Sequence, residues 1–451
     1  LDERLADITR RFMAKYRILS LDGGGSWALI QARVLKDIYG DIQGHQLLKQ
    51  FDMVIANSGG ALVLACLCNN MTLSETINLF DSEQTRKKIF SGLTLRDRLI
   101  PRNMLSIVTR IFGFGPKYRA SRKLEGLYEV FKEQSDRSGR VDYSRTELKE
   151  LPAIIGKPGL QIIIVGFDYF KSRVSFFRSN ATSNTNKFSA AFTNITLAHA
   201  IHASSNAPVN YFDAPATLKI KLPDDSDKRS AWFWDGAVAG FNNPVLAGLI
   251  EAMTNNAVNP VPTPLEDHYI LSIGTGTGGK AVITDYQQST NPVKRSIYEK
   301  NLGNPLANTD NSLRFLNDVK KISTSILSDP PDSATFIAYA ILDPTLKRNS
   351  NIVRINPCLA PELNQENIFD VPTVYSGSDD EKEKFKTLLT MDMDAIKEYD
   401  VKLIMDLCNK YITDSKPCLP NQLIRGESNG STPILGQPTY REAKAKWMEY
   451  K

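Results

Sequence analysis

"YRILSLDGGG", residues 16–25, runs an apolar stretch into three consecutive glycines. It reads as a buried strand ending in a glycine turn, and the next residues, "ALIQARVLKDIY", have the periodicity of an amphipathic helix. A second unit of the same kind follows. Residues 51–55 form a short strand candidate, "ANSGG" at 56–60 a turn, and "GGALVLACLCNN" a buried helix starting just beyond Ser58. Further strand candidates lie at 161–167, 230–234 and 268–273, with helical material at 192–203 and 244–254. Repeated strand, turn and helix favour an α/β layer structure with a mostly parallel central sheet. Ligands of such sheets bind at the carboxyl ends of the strands.

The rest of the chain is less regular. Strand candidates fall near 335–341 and 351–355, and helices at 380–410 and 438–450. The 451 residues are 42% hydrophobic and 23% charged, the balance of a globular protein rather than a disordered one. A net charge of +5 is too small to imply nucleic-acid binding, but its distribution is uneven. Residues 86–123 hold eleven Lys/Arg against one acidic residue, Asp97. A phosphate-facing surface and a solvated or contact face are equally open readings. Within that stretch, 89–117 mixes bulky apolar, glycine, proline and basic residues, which suits a lid, a membrane-facing edge or a helical pair on the core.

Cys66, Cys68, Cys358, Cys408 and Cys418 show no disulfide-dense or zinc-like spacing, so reduced thiols and no metal are expected. The N-terminus is charged, without a signal-like apolar core, and no apolar run reaches spanning length. The expectation is a cytoplasmic protein, peripheral at a membrane if membrane-associated, with signal-independent secretion as an effector left open.

Two motifs are decoys. The literal G-x-S-x-G, "GESNG" at 426–430, would make Ser428 a nucleophile, yet no strand precedes it and two prolines stand where the elbow needs a helix. "GTGTGGKA" at 274–281 satisfies G-x-G-x-x-G through Gly274, Gly276 and Gly279, but a poor helix follows and Ala281 replaces the magnesium-binding hydroxyl of a P-loop. By contrast "ANSGG" has Ala56 in place of the first glycine but sits in the right strand–turn–helix context. Asn57 can occupy the strained turn, and Gly59 and Gly60 allow close backbone approach. Context alone leaves Ser58 either a nucleophile or a helix cap.

Gly23, Gly24 and Gly25 can present successive N–H groups as an anion nest or oxyanion hole, or simply make a tight packing turn. An active serine also needs a proton acceptor. Of His45, His199, His202 and His268, His199 and His202 lie three apart in a helical stretch with no carboxylate near them that defines a Ser-His-Asp order, and core or surface roles suit the histidines better. "AWFWDGAVAGF" at 231–241 places Asp235 at the end of a buried strand, followed by Gly236. A partly desolvated Asp can deprotonate a serine directly, and an Asx-type turn cap is the competing role.

Taken together, Asp22–Gly25, Ala56–Gly60 and Asp235–Ala237, in this order, resemble the patatin-like phospholipases and lipid acyl hydrolases. "HAIHASSNAPVNYF" at 199–212, "NNP" at 242–244 and "SIGTG" at 272–276 match recurring segments of that family. The resemblance implies a three-layer α/β/α fold and hydrolysis of fatty-acyl esters by a Ser58–Asp235 dyad, through an acyl-enzyme and without a cofactor. It implies an oxyanion hole at Gly23–Gly25, with Asp22, Asn57, Gly59, Gly60 and Gly236 supporting the site. Parts of 61–67 and the 89–112 segment would line an apolar acyl pocket, with plain core as the alternative for both.

The implied division is a lead-in at 1–15, a catalytic domain at 16–355 and a mostly helical extension at 356–451. The implied partner is a phospholipid or other acyl-ester lipid, with peripheral membrane contact, an unidentified regulator and no specific nucleic-acid binding. Two departures stand out: Ala56, and Ser26–Trp27–Ala28 where the family commonly has a basic residue followed by glycine. Arg96, Arg98 or Arg102 could supply the phosphate contact instead. Alternative readings are a lysophospholipase or soluble carboxylesterase, a weakened lipid-binding protein, and a partner-regulated effector.

Overall fold

The computed structural model describes residues 15–90, 92, 116–180, 194–208, 211–221, 228–257, 262–278, 333–346, 350–359, 362–363, 369–413, 417–424 and 435–451. Its elements begin with β1 (Tyr16–Leu21), α1 (Leu29–Tyr39), β2 (Met53–Ala56), α2 (Ser58–Cys68) and α3 (Ala120–Ser138). They continue with β3 (Gln161–Asp168), β4 (Arg173–Arg178), α4 (Leu197–Ser204), β5 (Ala216–Lys221), β6 (Lys228–Asp235) and α5 (Val245–Ala257). The C-terminal part carries β7 (His268–Ile273), β8 (Thr277–Gly278), β9 (Ile352–Ile355), α6 (Asp379–Thr390), α7 (Glu398–Ile412) and α8 (Tyr440–Tyr450).

The main sheet has the order β5-β6-β3-β2-β1-β7-β9, with β4 also paired to β3. From β3 to β9 the pairs are parallel, whereas β4, β6 and β5 join antiparallel. The apolar runs follow from burial on both faces. Leu19, Leu21, Val54, Ile164, Leu271 and Val353 point into one layer with Leu35, Leu64 and Ile201 of the helices. Ile18, Ile55, Ile163, Ile270 and Ile352 point into the other, against Val245 and Leu249 of α5. Helices on both faces make this the three-layer α/β/α arrangement expected.

Residues beyond β9 share the first layer's core: Leu403, Leu407 and Tyr411 of α7 and Trp447 of α8 belong to it. Trp447 stacks on Phe51 with centroids 6.1 Å apart. α2 is buried on every side from Gly59 to Cys68, as a helix that is apolar all round must be. Of the two readings of residues 61–67, this burial fits core packing.

Two element readings are corrected and two unassigned strands are added. Residues 333–342 are helical rather than a strand at 335–341; Thr335, Ala338 and Tyr339 are buried at helical spacing, a period outweighed in the sequence by the β-branched and aromatic residues. The helix expected over 380–410 is two helices, α6 and α7, with 391–397 between them. The antiparallel strands β4 and β5 have half-exposed, polar sequences that carry little strand signal. The segment 93–115 and residues 1–14 lie outside the described residues.

The register puts Leu21 opposite both Ala56 and Ile273, so the loops after β1, β2 and β7 leave at one edge. From β1 the chain passes to β2 on one side; from β7 the sheet continues to β9 on the other. In open α/β sheets such a divergence of connections marks the carboxyl-edge position where ligands bind.

Candidate active site

Ser58 stands where β2 turns into α2. Asn57 is extended (φ −126°, ψ 146°), and Ser58 has φ +48°, a left-handed conformation that a serine adopts only when its surroundings impose it. The capping position belongs to Asn57, and no side chain makes a cap hydrogen bond there. The backbone therefore presents Ser58 as an elbow rather than as a cap. The close approach falls one turn on: a Cβ at Gly60 would lie 2.6 Å from the Leu21 carbonyl oxygen, and one at Gly59 2.7 Å from the Gly25 nitrogen. Ala56, by contrast, is fully buried in the sheet, and its methyl group packs in the core, so the tight contact needs no glycine there.

Asp235 reaches Ser58 because β6 pairs antiparallel with β3, setting Asp235 opposite Gly166 near the carboxyl edge. Its buried carboxylate lies beside the Ser58 hydroxyl, which favours its ionised form. It accepts from the Ala237 N–H at 2.9 Å and from Asn57 Nδ2 at 3.1 Å. Gly236 opens the 3-10 turn that supplies the Ala237 amide. Ser204, at the end of α4, ties the elbow together: its Oγ accepts from the Ser58 N–H at 2.9 Å and donates to Asn57 Oδ1 at 3.3 Å. Burial pushes the Asp235 carboxyl above the ordinary carboxylate range, opposed by the hydrogen bonds from Ser58, Ala237 and Asn57 and by the charge of Lys123.

The glycine loop is braced along its length. Asp22 forms a buried two-pronged ion pair with Arg354 of β9 at 3.0 and 2.6 Å, and Arg354 also donates to Ser272 Oγ at 2.9 Å. Gln31 Nε2 and the Gly60 N–H both donate to the Asp22 carbonyl, at 2.9 and 3.1 Å. Thr275 Oγ1 donates to the Gly23 carbonyl at 2.8 Å, so this part of "GTGTGG" serves as a strut. The Gly23 N–H donates to the Asn242 carbonyl at 2.8 Å, which removes it from the expected oxyanion donors. The Gly24 and Gly25 amides make no backbone hydrogen bond among the described residues, and Gly25 takes φ +57°.

A strained serine next to a buried aspartate, beside a braced glycine loop, is a constellation for acyl transfer. The family model of the patatin-like phospholipases matches residues 19–249, more than half of the chain. The chain belongs to the patatin-like phospholipase family. Membership supports a hydrolase acting on lipid. Among solved structures, this patatin-like chain is similar to VipD from Legionella pneumophila, at 13% identity over 96% of this chain and 74% of that one, with a TM-score of 0.32. It is also similar to the type III effector ExoU, at 13% identity over 96% and 93% of the two chains, TM-score 0.20. A third likeness is to full-length SpcU in complex with full-length ExoU from Pseudomonas aeruginosa, at 11% identity over 87% of each chain, TM-score 0.20. No curated protein sequence matches the chain.

In this patatin-like site several participants escaped the sequence reading. Ser204 lies in the recognised "HASSNAP" segment but has no distinguishing pattern of its own. Lys123 was submerged in the basic stretch, yet it falls on the inward face of α3 with Ala120, Leu127, Val130 and Phe131. It is almost fully buried; its Nζ donates to the His202 carbonyl at 3.4 Å and lies 4.4 Å from the Phe212 ring centroid. Burial pushes the Lys123 ammonium well below its ordinary range, opposed by the charge of Asp235.

The other end of the basic stretch also turns inward: Arg86 is buried and donates to the Ile396 and Phe80 carbonyls at 2.9 and 2.6 Å, and Lys117 binds Asp392 at 2.7 Å. The described part of the stretch thus divides: Arg86 and Lys123 satisfy carbonyls inside the fold, whereas Lys87, Lys88 and Lys117 keep partly exposed side chains in ion pairs with Glu83, Glu133 and Asp392. Arg96, Arg98, Arg102, Gly279 and Ser428 lie outside the described residues. His45, His199 and His268 bind Cys68 O, Thr196 Oγ1 and Pro264 O, respectively. Among the described residues no three His, Cys, Asp or Glu side chains form a metal-binding set, and no helix is long and apolar enough to cross a membrane.

Lys123 makes a pH prediction. If Asp235 must be ionised to accept a proton, activity rises with pH through its titration. Removing the opposing charge in Lys123→Met raises the Asp235 pKa further, so the acidic limb of kcat/KM against pH should move to higher pH. A limb that stays in place or moves down would show that Lys123 does not act on Asp235.

Proposed function

We propose that the protein hydrolyses fatty-acyl ester bonds of phospholipids, with Ser58 as nucleophile and Asp235 as its general base. The buried Asp235 carboxylate, held next to a positive-φ Ser58 elbow by Asn57 and Ala237, is the observation that carries this reading. Ser58 Oγ forms a bond to the ester carbonyl carbon while its proton passes to Asp235. The Gly24 and Gly25 N–H groups stabilise the oxyanion. Collapse breaks the bond to the leaving alkoxide, which takes the proton from Asp235 and departs as lysophospholipid. Water then attacks the acyl-serine, its proton passing to Asp235 and on to Ser58 as the fatty acid leaves.

A substrate held in a bilayer, rather than a dispersed ester, is favoured by an aromatic tip beside the site. At the carboxyl end of β3, Tyr169 is 48% exposed and Phe170 64%; Trp232 of β6 is 37% exposed, with its ring centroid 5.0 Å from that of Phe170. Asp168 Oδ1 accepts the Phe170 and Lys171 N–H groups at 3.1 and 3.0 Å, which fixes the turn and projects the rings. Trp232 is three strand residues from Asp235, about 10 Å. Trp and Tyr favour the water–lipid boundary, and Arg173 and Lys219 stand exposed nearby.

Product analysis by mass spectrometry on mixed natural phospholipids tests the reaction: fatty acid and lysophospholipid are expected, and their absence would refute it. Phe170→Ala with Trp232→Ala should lower turnover on vesicles by on the order of tenfold per ring, leaving a short soluble ester unaffected. Equal loss on both substrates would place the rings in folding instead.

A further inference from the structure

The glycine loop is braced on its remaining side by a segment outside residues 19–249, the connection 391–397 between α6 and α7. The Met393 carbonyl accepts the Ser26 N–H at 2.9 Å, and a Cβ at Gly25 would collide with that same oxygen. The Asp392 carbonyl accepts Trp27 Nε1 at 3.2 Å. The connection is itself held from behind. Arg86 Nε donates to the Ile396 carbonyl at 2.9 Å, Lys117 Nζ reaches Asp392 Oδ2 at 2.7 Å and Asp394 Oδ2 at 3.2 Å, and the Tyr118 hydroxyl donates to Asp394. Ala395 is buried in the core, which anchors the middle of the connection.

We infer that residues 391–397 form a positioning clamp that holds Gly24 and Gly25 in the geometry their amides need to bind the oxyanion, with Trp27 as its anchor in the glycine loop. The inference rests on the oxyanion role proposed above. A run of three glycines has more conformational freedom to lose than any other tripeptide, whereas oxyanion donors act only when already aimed. Asp22, Thr275 and Asn242 secure the first half of the loop; the second half has Met393 and Asp392. Capture of the Ser26 N–H by Met393 pins the start of the 3-10 turn Gly25–Ala28, whose Gly25 amide and the Gly24 amide before it make no backbone hydrogen bond among the described residues. Ser26–Trp27–Ala28 is thus more than a lost basic residue: the indole N–H couples the loop to a segment 365 positions away.

Trp27→Phe, Lys117→Met and Tyr118→Phe each remove a polar tie while retaining most of the side chain's bulk. With a p-nitrophenyl ester, and active sites titrated by a fluorophosphonate, Trp27→Phe combined with Tyr118→Phe should lower kcat by on the order of tenfold at unchanged KM. Affinity for a trifluoromethyl ketone acyl analogue, which forms a tetrahedral adduct, should weaken by the same factor, while affinity for an unreactive acyl amide holds. Lys117→Met, at a partly exposed position, should show the same pattern more weakly and serves if the double variant does not fold. Wild-type kcat per titrated site and unchanged ketone affinity in a folded variant would overturn the clamp. Failure of the underlying reading looks different: Ser58→Ala would then remain active.

Discussion

Ser58→Ala should reduce kcat for ester hydrolysis by on the order of 10⁶-fold, to whatever the glycine loop and binding alone sustain. Under the proposed mechanism the variant loses the attacking oxygen, while the helix start and the Ser204 contact to the Ser58 backbone N–H stay in place. Ser58→Gly should be equally inactive but more stable than wild type, by about 1 kcal/mol, since glycine accepts φ +48° without strain. A gain in melting temperature accompanying loss of activity would identify strain stored at the nucleophile. Asp235→Asn keeps an acceptor for Ala237 and Asn57 yet turns a donor or an unionisable oxygen toward Ser58. It should lose about 10²–10⁴-fold. Fatty-acid release by folded Ser58→Ala within tenfold of wild type would remove Ser58 from the mechanism.

The largest expected loss of stability is at Arg354. Its guanidinium and the Asp22 carboxylate are both buried, and Arg354→Leu leaves the carboxylate without its countercharge, at a cost of about 3–5 kcal/mol. Asp22→Asn combined with Arg354→Leu should cost distinctly less than Arg354→Leu alone, because no uncompensated charge remains. Denaturant midpoints of the three variants measure this. Costs that simply add would mean that the two groups act independently. Since Asp22 begins the glycine loop, the double variant should also report how much of the activity depends on that anchor, separately from global stability.

Much of this architecture is readable from local patterns. The strand from His268 to Ile273 falls where its apolar alternation puts it, and "LDGGG", "ANSGG" and "WDGA" mark three strand ends by glycine spacing. Such signals are short-range: a period of two or of 3.6, or a turn that needs no side chain. β4 and β5 escaped because antiparallel strands with an open face carry mixed residues. The helix at 333–342 escaped because its β-branched and aromatic residues hide a helical burial period. Lys123 escaped because charge counting assigns a lysine to the surface, while its position on an inward helix face decides otherwise.

By itself the sequence determined a parallel α/β core, the identity of Ser58 and Asp235 as chemically apt residues, and a glycine loop able to bind an anion, each a property of a few neighbouring residues. Only the tertiary structure decided that Asp235 is held by Asn57 at the foot of the Ser58 elbow, that Gly23 is already engaged by Asn242, and that Arg354 and Met393 hold the loop from beyond residue 350. The physical reason is strand order and register. Contacts between segments hundreds of residues apart follow from which strand lies beside which and at what offset, and no local period encodes either.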